Sequence, residues 1–272
     1  MPEVETLRRG LAKATSGQHI TAIRIADERI LKRVDPGKFV ERLNGVAVKA
    51  VNRRGKFLLF ELGHGVSSSF HLVVHLNMKG SVRLFTSDVP MQKYECVRVG
   101  LSSGAVLVYA DMWTWGDWHL DDASDYRLVS DVASMGPEPL DEGWSGAVLA
   151  SRLVGKRGLI KTVLLDQKVV AGVGNIYADE SLFAAGVSPK RQASALDVAE
   201  CDALATSIAE TLESAVCCGG SRGEYVDLDG NPGTYEPKVY GGKGKPCPRC
   251  GGPLTKVSIG GRGTTYCPVC QH

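Results

Sequence analysis

The spacing of hydrophobic residues changes twice along the chain. Residues 2–14 carry apolar side chains at helical spacing, with Val4, Leu7 and Leu11 on one face, and therefore predict an amphipathic helix. From about residue 18 to 110, short runs rich in β-branched and aromatic residues alternate with turn sequences such as GHG, TSD and SSG. The predicted strands are AVKAVNRR, KFLLFEL, SSFHLVVHL, SVRLF, YECVRVGL and AVLVYA. Strands at this spacing are typical of a sandwich or barrel.

The pattern becomes helical after the acidic, Pro/Gly-rich linker MGPEPLDEG. The predicted helices lie in SGAVLASRLVG, GLIKTVLLDQ, NIYADESLFAAG and ALDVAECDALATSIAETLESAVCC. Glycine becomes dense from Gly219 onward and regular structure decreases. We therefore predict an α+β multidomain chain: a β-rich N-terminal domain with a leading helix (1–132), a helical domain (133–236) and a small C-terminal module (237–272).

Composition is that of an ordinary soluble globular protein, with 43% hydrophobic and 23% charged residues. No apolar run approaches the ~20 residues that a membrane span needs, and the N-terminus has no signal-peptide pattern. We expect a cytoplasmic protein with no membrane partner.

Charge is unevenly distributed although the net charge is only +2. Residues 111–142 contain nine acidic residues against one basic residue, Arg127, whereas residues 152–191 contain seven basic residues against three acidic ones. Segregated charge indicates a polyanion partner for one face, although many charge runs are simply solvated surfaces.

Four of the eight cysteines form two CxxC pairs, Cys247/Cys250 and Cys267/Cys270, with sixteen residues between the pairs. This spacing predicts four thiolates around one structural Zn²⁺, with no open position for catalysis; a redox pair or disulfides are the alternative. We expect zinc to supply the folding energy of this small module, so that chelation melts residues 240–272. The other cysteines show no spacing pattern and are expected to be reduced: Cys96, Cys201, Cys217 and Cys218.

A glycine-rich loop, AGVGN, precedes the predicted helix 176–184. We expect Asn175 to be the N-cap residue, and glycines next to a helix N-terminus suit the binding of an anion. The loop lacks the GKS/T of a nucleotide P-loop, so the phosphate of a polymer fits better; an ordinary αα-hairpin is the alternative. In the zinc module, Arg262 lies between glycines at the predicted hairpin turn, where it could reach a phosphate or remain a solvated turn residue.

Long collinear segments give a more specific signal than any single motif. They are the PEVET start, RRGKFLLFEL, IKTVLLDQKVVAGVGNIYADESLF, DLDGNPGTY, VYGGKGKPCPRCGGPL and GGRGTTYCPVCQ. Together they resemble the formamidopyrimidine-DNA glycosylase / endonuclease VIII family of base-excision repair enzymes, in its formamidopyrimidine branch. The resemblance implies an N-terminal β-sandwich, a helix-two-turns-helix domain and a C-terminal zinc finger, with DNA in the cleft between the lobes. It also implies a monomeric bifunctional enzyme that binds damaged double-stranded DNA and associates with the nucleoid.

The same resemblance assigns roles to individual residues. It implies that Lys56, Asn175 and Arg262 contact phosphates flanking the lesion, and that Lys161 lies near the damaged nucleotide. Met78 would fill the space left by the flipped base, which suits a soft apolar wedge.

The implied catalytic residues are Pro2, Glu3 and Lys56. After removal of the initiator methionine, Pro2 would be a terminal secondary amine that attacks C1′ of the sugar, and the resulting iminium would permit β,δ-elimination. Glu3 would act as general acid. Independently of the resemblance, Pro and Glu at this position also suit the first turn of a helix.

The N-terminal sequence departs from the family pattern. The family usually begins MPELPEVET, whereas this chain begins MPEVET. Aligning PEVET as a block removes the catalytic pair, whereas aligning the termini keeps Pro2 and Glu3 but moves them by about one helical turn.

Two further departures concern recognition of the lesion. The chain has DMWTWG, residues 111–116, where the family has DPRRFG, so Trp115 can still be a wedge and Trp113 could stack, but neither replaces the paired donors of an arginine. The segment GGSRGEY is shorter than the family's lesion-capping segment. We therefore expect a DNA glycosylase/AP lyase with altered lesion preference. A non-catalytic protein that binds damaged DNA, including abasic sites, is the alternative, and a zinc-ribbon nucleic-acid protein unrelated to repair is a third interpretation.

Overall fold

The computed structural model describes residues 1–65, 69–122, 126, 129–223 and 225–272. The helices are α1 (Pro2–Thr15), α2 (Pro36–Leu43), α3 (Ser130–Ala133), α4 (Gly146–Leu153), α5 (Ile160–Leu165), α6 (Asn175–Ala185) and α7 (Val198–Cys217). The strands are β1 (Ile20–Ile25), β2 (Ala47–Arg54), β3 (Phe57–Gly63), β4 (Phe70–His75), β5 (Ser81–Phe85), β6 (Glu95–Leu101), β7 (Val106–Ala110), β8 (Asp117–Asp121), β9 (Thr255–Ile259) and β10 (Arg262–Tyr266).

The described residues form two compact units. The sandwich unit comprises residues 3–133 and 219–234, and the helical unit comprises residues 1–2, 134–218 and 235–272. The finer division into domains at 132/133 and 236/237 stays a prediction. Among the described residues, no helix combines the length and apolar composition that a bilayer crossing requires.

The sandwich unit consists of two four-stranded sheets, with strand orders β1-β6-β7-β5 and β2-β3-β4-β8, and every pairing within them is antiparallel. The sheets bury a common apolar core because alternate residues of each strand face inward, as Leu58 and Leu62 do on β3. The predicted face of α1 packs on this core, with Leu7 and Leu11 almost fully buried. The predicted β-sandwich with a leading helix is confirmed.

Sequence reasoning missed α2, α3, β1 and β8. The start of α2 has a clear signal, because Asp35 caps the helix by accepting a hydrogen bond from the Lys38 backbone N–H and Pro36 occupies the first turn. Its buried residues, Phe39 and Leu43, have helical spacing. This helix is only eight residues long and lies within a region whose sequence pattern predicts strands, so it was not predicted.

The helical unit is organised around α6 and α7, which are connected by residues 186–197 and form the predicted helix-two-turns-helix. Helix α7 begins with a reciprocal capping box between Asp197 and Glu200. Helix α6 ends at Gly186, whose φ of 76° is the left-handed conformation that favours glycine. The expected N-cap of α6 is wrong by one residue: Gly174 occupies that position, and Asn175 is the first helical residue.

The C-terminal module contains the β9–β10 hairpin. Its two-residue turn is Gly260–Gly261, with φ of 56° and 73°, the pattern of a type I′ turn. The turn therefore precedes Arg262, which begins β10, so the expectation that Arg262 occupies the turn itself is corrected. A small core of Val239, Leu254 and two cysteines includes Phe183 from α6.

Candidate functional site

The four cysteines of the CxxC pairs form a metal site. Their sulfur atoms all lie within 4.8 Å of one another, with 3.9 Å between Sγ of Cys247 and Cys270 and 3.5 Å between those of Cys250 and Cys267. A tetrahedron with Zn–S bonds of about 2.3 Å requires sulfurs about 3.8 Å apart. The residues therefore fit one structural zinc whose four positions are all filled by protein, as predicted.

Two consecutive acidic residues of α6 hold the C-terminal module from inside the helical unit. The Glu180 carboxylate accepts hydrogen bonds from the backbone N–H groups of Lys238, Val239 and Tyr240, at 2.7, 2.8 and 2.8 Å. The Asp179 carboxylate accepts one at 2.8 Å from the Thr265 N–H on β10. The first residues of the module and its second strand are thus both fixed to one helix.

Lys161 lies beneath this hairpin and pairs with Asp179, and both side chains are fully buried. Its Nζ also donates to the carbonyl oxygen of Gly263, at 3.2 Å. Burial lowers the pKa of Lys161 and raises the pKa of Asp179, because desolvation penalises both charged forms, while each partner's charge opposes the other's shift. Lys161 is therefore not part of the exposed surface.

Sequence reasoning missed both acidic residues of α6. Their signal is an adjacent Asp–Glu pair within NIYADESLFAA, a helix whose apolar residues leave little room for a solvated face. A buried carboxylate requires partners, and here those partners are a lysine and backbone N–H groups from residues distant in sequence.

Asn175 and Arg262 lie beside the same carbonyl group. Asn175 Nδ2 donates a hydrogen bond to the carbonyl oxygen of Gly263 at 3.1 Å. Gly263 is the residue that follows Arg262 in the chain. The first-turn N–H groups of α6 have no intrahelical partners, so this helix end can receive an anion. Arg262 is exposed, and within the part of the chain that the structure describes its guanidinium has no acidic partner.

Lys56 occupies the tip of the β2–β3 hairpin in the sandwich unit. The two-residue loop is Gly55–Lys56, with a φ of 56° at the glycine. The neighbouring Phe57 ring stacks on His75, with 4.3 Å between ring centroids. Burial, together with the positive charge of Lys56, lowers the pKa of His75 to about 4, so this imidazole is neutral at physiological pH.

Three exposed apolar side chains project from two adjoining turns of the sandwich unit. Met78, Trp113 and Trp115 are 53%, 40% and 51% exposed, and the two indole rings lie 4.6 Å apart. The turns are joined because the Asn77 side-chain amide donates to the Trp115 carbonyl oxygen. Exposed side chains of this kind can stack on or wedge between bases.

The backbone around these tryptophans, residues 111–116, is defined as the tryptophan loop and is held by Asp111, which is 2% exposed. The Asp111 carboxylate accepts hydrogen bonds from the N–H groups of Trp113 and Gly116, at 3.0 and 2.8 Å, and from the Tyr109 hydroxyl at 3.1 Å. A Cβ at Gly116 would lie 1.9 Å from that hydroxyl, so the position requires glycine.

Pro2 and Glu3 begin helix α1, and both are buried. Glu3 Oε1 accepts a hydrogen bond from the Ser221 N–H at 3.2 Å, which joins it to the predicted lesion-capping segment. A Cβ at Gly220 would lie 2.8 Å from Glu3 Cγ, and Gly220 has a φ of 101°. Glu3 is therefore tightly enclosed by this segment.

Glu5 is a further buried acidic residue that sequence reasoning did not single out. Burial raises its pKa, but hydrogen bonds from Arg8, Arg9 and Arg53 outweigh this effect and lower the pKa of Glu5 to about 2. Because Arg53 lies on β2, this ion-pair cluster fastens the first turn of α1 to the sheet that presents Lys56. Its signal in the sequence is ETLRR, with arginines three and four residues after the glutamate.

Comparison with known proteins places these features in one family. Residues 1–118 match the model of the formamidopyrimidine-DNA glycosylase N-terminal domain, residues 135–225 match the formamidopyrimidine-DNA glycosylase H2TH domain, and residues 244–272 match a zinc finger found in FPG and IleRS. The chain belongs to the formamidopyrimidine-DNA glycosylase family. Members of this family are base-excision DNA glycosylases.

Individual relatives match over the full length. The formamidopyrimidine-DNA glycosylase of Laribacter hongkongensis is 40% identical, covering 100% of this chain and 99% of the relative. The crystal structure of Lactococcus lactis Fpg in complex with DNA containing an abasic site has a TM-score of 0.90 at 35% identity, covering 100% and 99% of the two chains. The MutM (Fpg) protein from Thermus thermophilus has a TM-score of 0.87 at 36% identity, covering 100% and 98%.

Membership of the formamidopyrimidine-DNA glycosylase family confirms the fold class and the zinc finger predicted from the sequence. The roles of Pro2, Glu3, Lys56 and the DNA-contacting residues stay predictions for this member. The chain brings Asn175, Arg262 and Lys161 together around Gly263, and it groups Met78, Trp113 and Trp115 in the sandwich unit.

Proposed function

We propose that this chain is a DNA glycosylase and AP lyase that acts on oxidised or abasic sites in damaged double-stranded DNA. The observation that carries the proposal is the grouping of Arg262 and the α6 N-terminus around the Gly263 carbonyl, with the Arg262 guanidinium exposed. Cationic and N–H donors that converge in this way suit one phosphate of a nucleic-acid backbone. Lys56 supplies a further phosphate contact from the sandwich unit.

The proposed reaction begins with the secondary amine of Pro2, which is released when Met1 is removed. A terminal amine has an unperturbed pKa near 8, so part of it is neutral at physiological pH. Its nitrogen forms a bond to C1′ while the glycosidic bond breaks and its electron pair leaves with the base; Glu3 protonates the sugar ring oxygen. Loss of the amine proton and cleavage of the C1′–O4′ bond, whose electron pair goes to the ring oxygen as it takes up the proton from Glu3, give an iminium at C1′. This cation accepts electrons as the C2′ proton and the 3′ phosphate leave, and a second elimination releases the 5′ phosphate.

Borohydride trapping on duplex DNA with an abasic site tests this chemistry. We expect a covalent adduct whose modified residue is Pro2, together with incision of the strand. The control carries a short Gly-Ser extension before Met1, which blocks the amine and should give neither adduct nor incision. A wild-type protein that yields no adduct, or an extended one that reacts equally well, would overturn the proposed mechanism.

A non-catalytic protein that binds damaged DNA is the second candidate. Two features favour it: Pro2 is buried at the start of α1, and the tryptophan loop carries Trp113 and Trp115 where the resemblance leads us to expect an arginine and a phenylalanine. Tight binding of abasic DNA by protein whose N-terminal residue is proved to be Pro2, without adduct or incision, would support this candidate.

We also propose weak discrimination of the base opposite the lesion. Trp113 offers one indole N–H donor, whereas an arginine offers paired donors that fit a base edge. Binding to four duplexes that differ only in the opposite base should therefore vary by less than about fivefold, since each good bidentate contact would contribute ~1–3 kcal/mol of discrimination. A preference of one hundredfold for one opposite base would contradict this proposal.

A further inference from the structure

We infer that Lys161 and Asp179 form a positioning pair, which fixes the β9–β10 hairpin on α6 and thereby sets the place of Arg262 relative to Asn175. Lys161 thus acts through the Gly263 carbonyl and does not itself contact DNA. The DNA-binding part of the test rests on the proposed function, whereas the pair itself is tested in the free protein.

The hydrogen bonds form a continuous path from the pair to the exposed residues. Lys161 Nζ bonds to one Asp179 oxygen and to the Gly263 carbonyl, while the other Asp179 oxygen accepts the Thr265 N–H. The Gly263 carbonyl also accepts the Asn175 amide at 3.1 Å. One backbone group next to Arg262 is therefore held by side chains from both α5 and α6.

The tip of the hairpin is also confined. A Cβ at Gly260 would lie 2.9 Å from Oγ1 of Thr162, the residue after Lys161 on α5. The turn therefore packs closely on the helix that carries the lysine. The turn packs on α5, and strand β10 is hydrogen-bonded to Asp179. The backbone of Arg262 therefore has little freedom, while its side chain stays exposed.

Burial argues against direct contact between Lys161 and a phosphate. Both side chains of the pair have zero exposed area. Turning the lysine outward would leave the Asp179 carboxylate buried without its cation, which is strongly unfavourable. Arg262 is already exposed on the adjacent strand and can reach an anion without such a cost.

Hydrogen–deuterium exchange of the free, zinc-loaded full-length protein tests the pair without DNA. We expect Lys161→Met to accelerate exchange of peptides covering residues 255–266 about tenfold, because Asp179 loses its cation. The double variant Lys161→Met/Asp179→Asn should recover part of this protection, since the neutral amide oxygen can still accept the Thr265 N–H, whereas the Gly263 carbonyl stays without its lysine donor. Lys168→Met, the same change at an exposed lysine of this unit, is the matched control and should have no effect. Wild-type exchange in Lys161→Met, or no recovery in the double variant, would overturn the inference.

Binding to duplex DNA containing a tetrahydrofuran abasic analogue, measured from 50 to 200 mM salt, tests the consequence. We expect Lys161→Met to weaken binding about tenfold and the double variant to recover to within about threefold of wild type, with an unchanged salt slope. Loss of one lysine–phosphate contact would reduce the magnitude of the slope of log K against log[salt] by about 0.9. A double variant that stays weak with this lower slope would identify Lys161 as a DNA contact and reject the positioning role. If the wild type does not bind this DNA at all, the proposed function fails, while the exchange experiment still decides the inference.

Discussion

The β9–β10 hairpin of the helical unit and the tryptophan loop of the sandwich unit are stabilised in a similar way but present different chemical groups. Each is held by a buried carboxylate that accepts backbone N–H groups, Asp179 in the first and Asp111 in the second. The hairpin presents a cation, Arg262, whereas the tryptophan loop presents two exposed indoles. A charged group suits phosphates, which are the same in every sequence, and apolar rings suit bases.

This difference explains where the sequence can change without loss of the fold. Asp111 bonds to backbone N–H groups of the tryptophan loop, so the side chains at positions 113 and 115 can differ while the loop keeps its shape. At the hairpin, by contrast, the lysine and asparagine side chains themselves bond to the backbone that carries Arg262.

Zinc removal is expected to have the largest effect, and it should unfold the module that contains the β9–β10 hairpin while leaving the sandwich unit folded. Structural zinc sites in zinc fingers contribute an apparent ~10–16 kcal/mol of binding free energy, which is also folding free energy. Chelation should therefore abolish exchange protection over residues 244–272 and weaken DNA binding more than ~100-fold, while residues 3–122 of the sandwich unit keep their protection.

The Cys267→Ser variant should reproduce the chelation result without chelator. Glu180 holds residues 238–240, so protection there should outlast that of the cysteine knuckles. Full protection of residues 244–272 in chelator would instead show that the small core around Phe183 suffices for folding.

Glu5 provides a pH test that concerns the sandwich unit. Its pKa falls from 4.5 to about 2 on folding, so it stabilises the native state above pH 4.5, and this contribution of about 3 kcal/mol is lost as pH falls toward 2. Urea unfolding at pH 7 should show Glu5→Gln less stable by up to this amount, and the difference between the two proteins should shrink steadily below pH 4.5. A pH-independent difference would show that the ion pairs with the three arginines are not its origin.

The backbone frame of the tryptophan loop can be broken at Gly116. A Cβ there would lie 1.9 Å from the Tyr109 hydroxyl, so Gly116→Ala should lower the free energy of unfolding by about 2–3 kcal/mol through overpacking. Gly143→Ala is the control, because no atom lies within 4 Å of the added Cβ, and its effect should stay within about 0.5 kcal/mol. Equal melting temperatures for the two variants would mean that the loop readily adjusts.

Trp113→Ala should separate base contact from stability. Stacking of a base on an aromatic ring is worth ~1–3 kcal/mol, so binding of abasic-site duplex should weaken by that amount while the unfolding free energy changes by less than about 0.5 kcal/mol. Met91→Ala, at an apolar residue of the same unit that is also exposed, should change neither quantity. Unchanged DNA affinity in Trp113→Ala would remove this indole from the proposed interface.

The sequence by itself determined the features that depend on local spacing. The two CxxC pairs identified the zinc ligands, the apolar periods identified the leading helix and the sandwich, and the AGVGN loop identified the start of α6 to within one residue. Thiolate geometry, amphipathic burial and helix capping all act over a few residues, so they leave patterns that can be read directly.

Only the tertiary structure decided which charged side chains are buried and which partners they bind. Lys161 belongs to a basic stretch of the sequence, yet it is fully buried against Asp179 and under Gly263, which lies 102 residues away. Asp111 belongs to the acidic stretch, yet it organises a loop from inside. The physical reason is desolvation: a buried charge is tolerated only where folding brings its partners to it, and those partners come from distant segments that local spacing does not reveal.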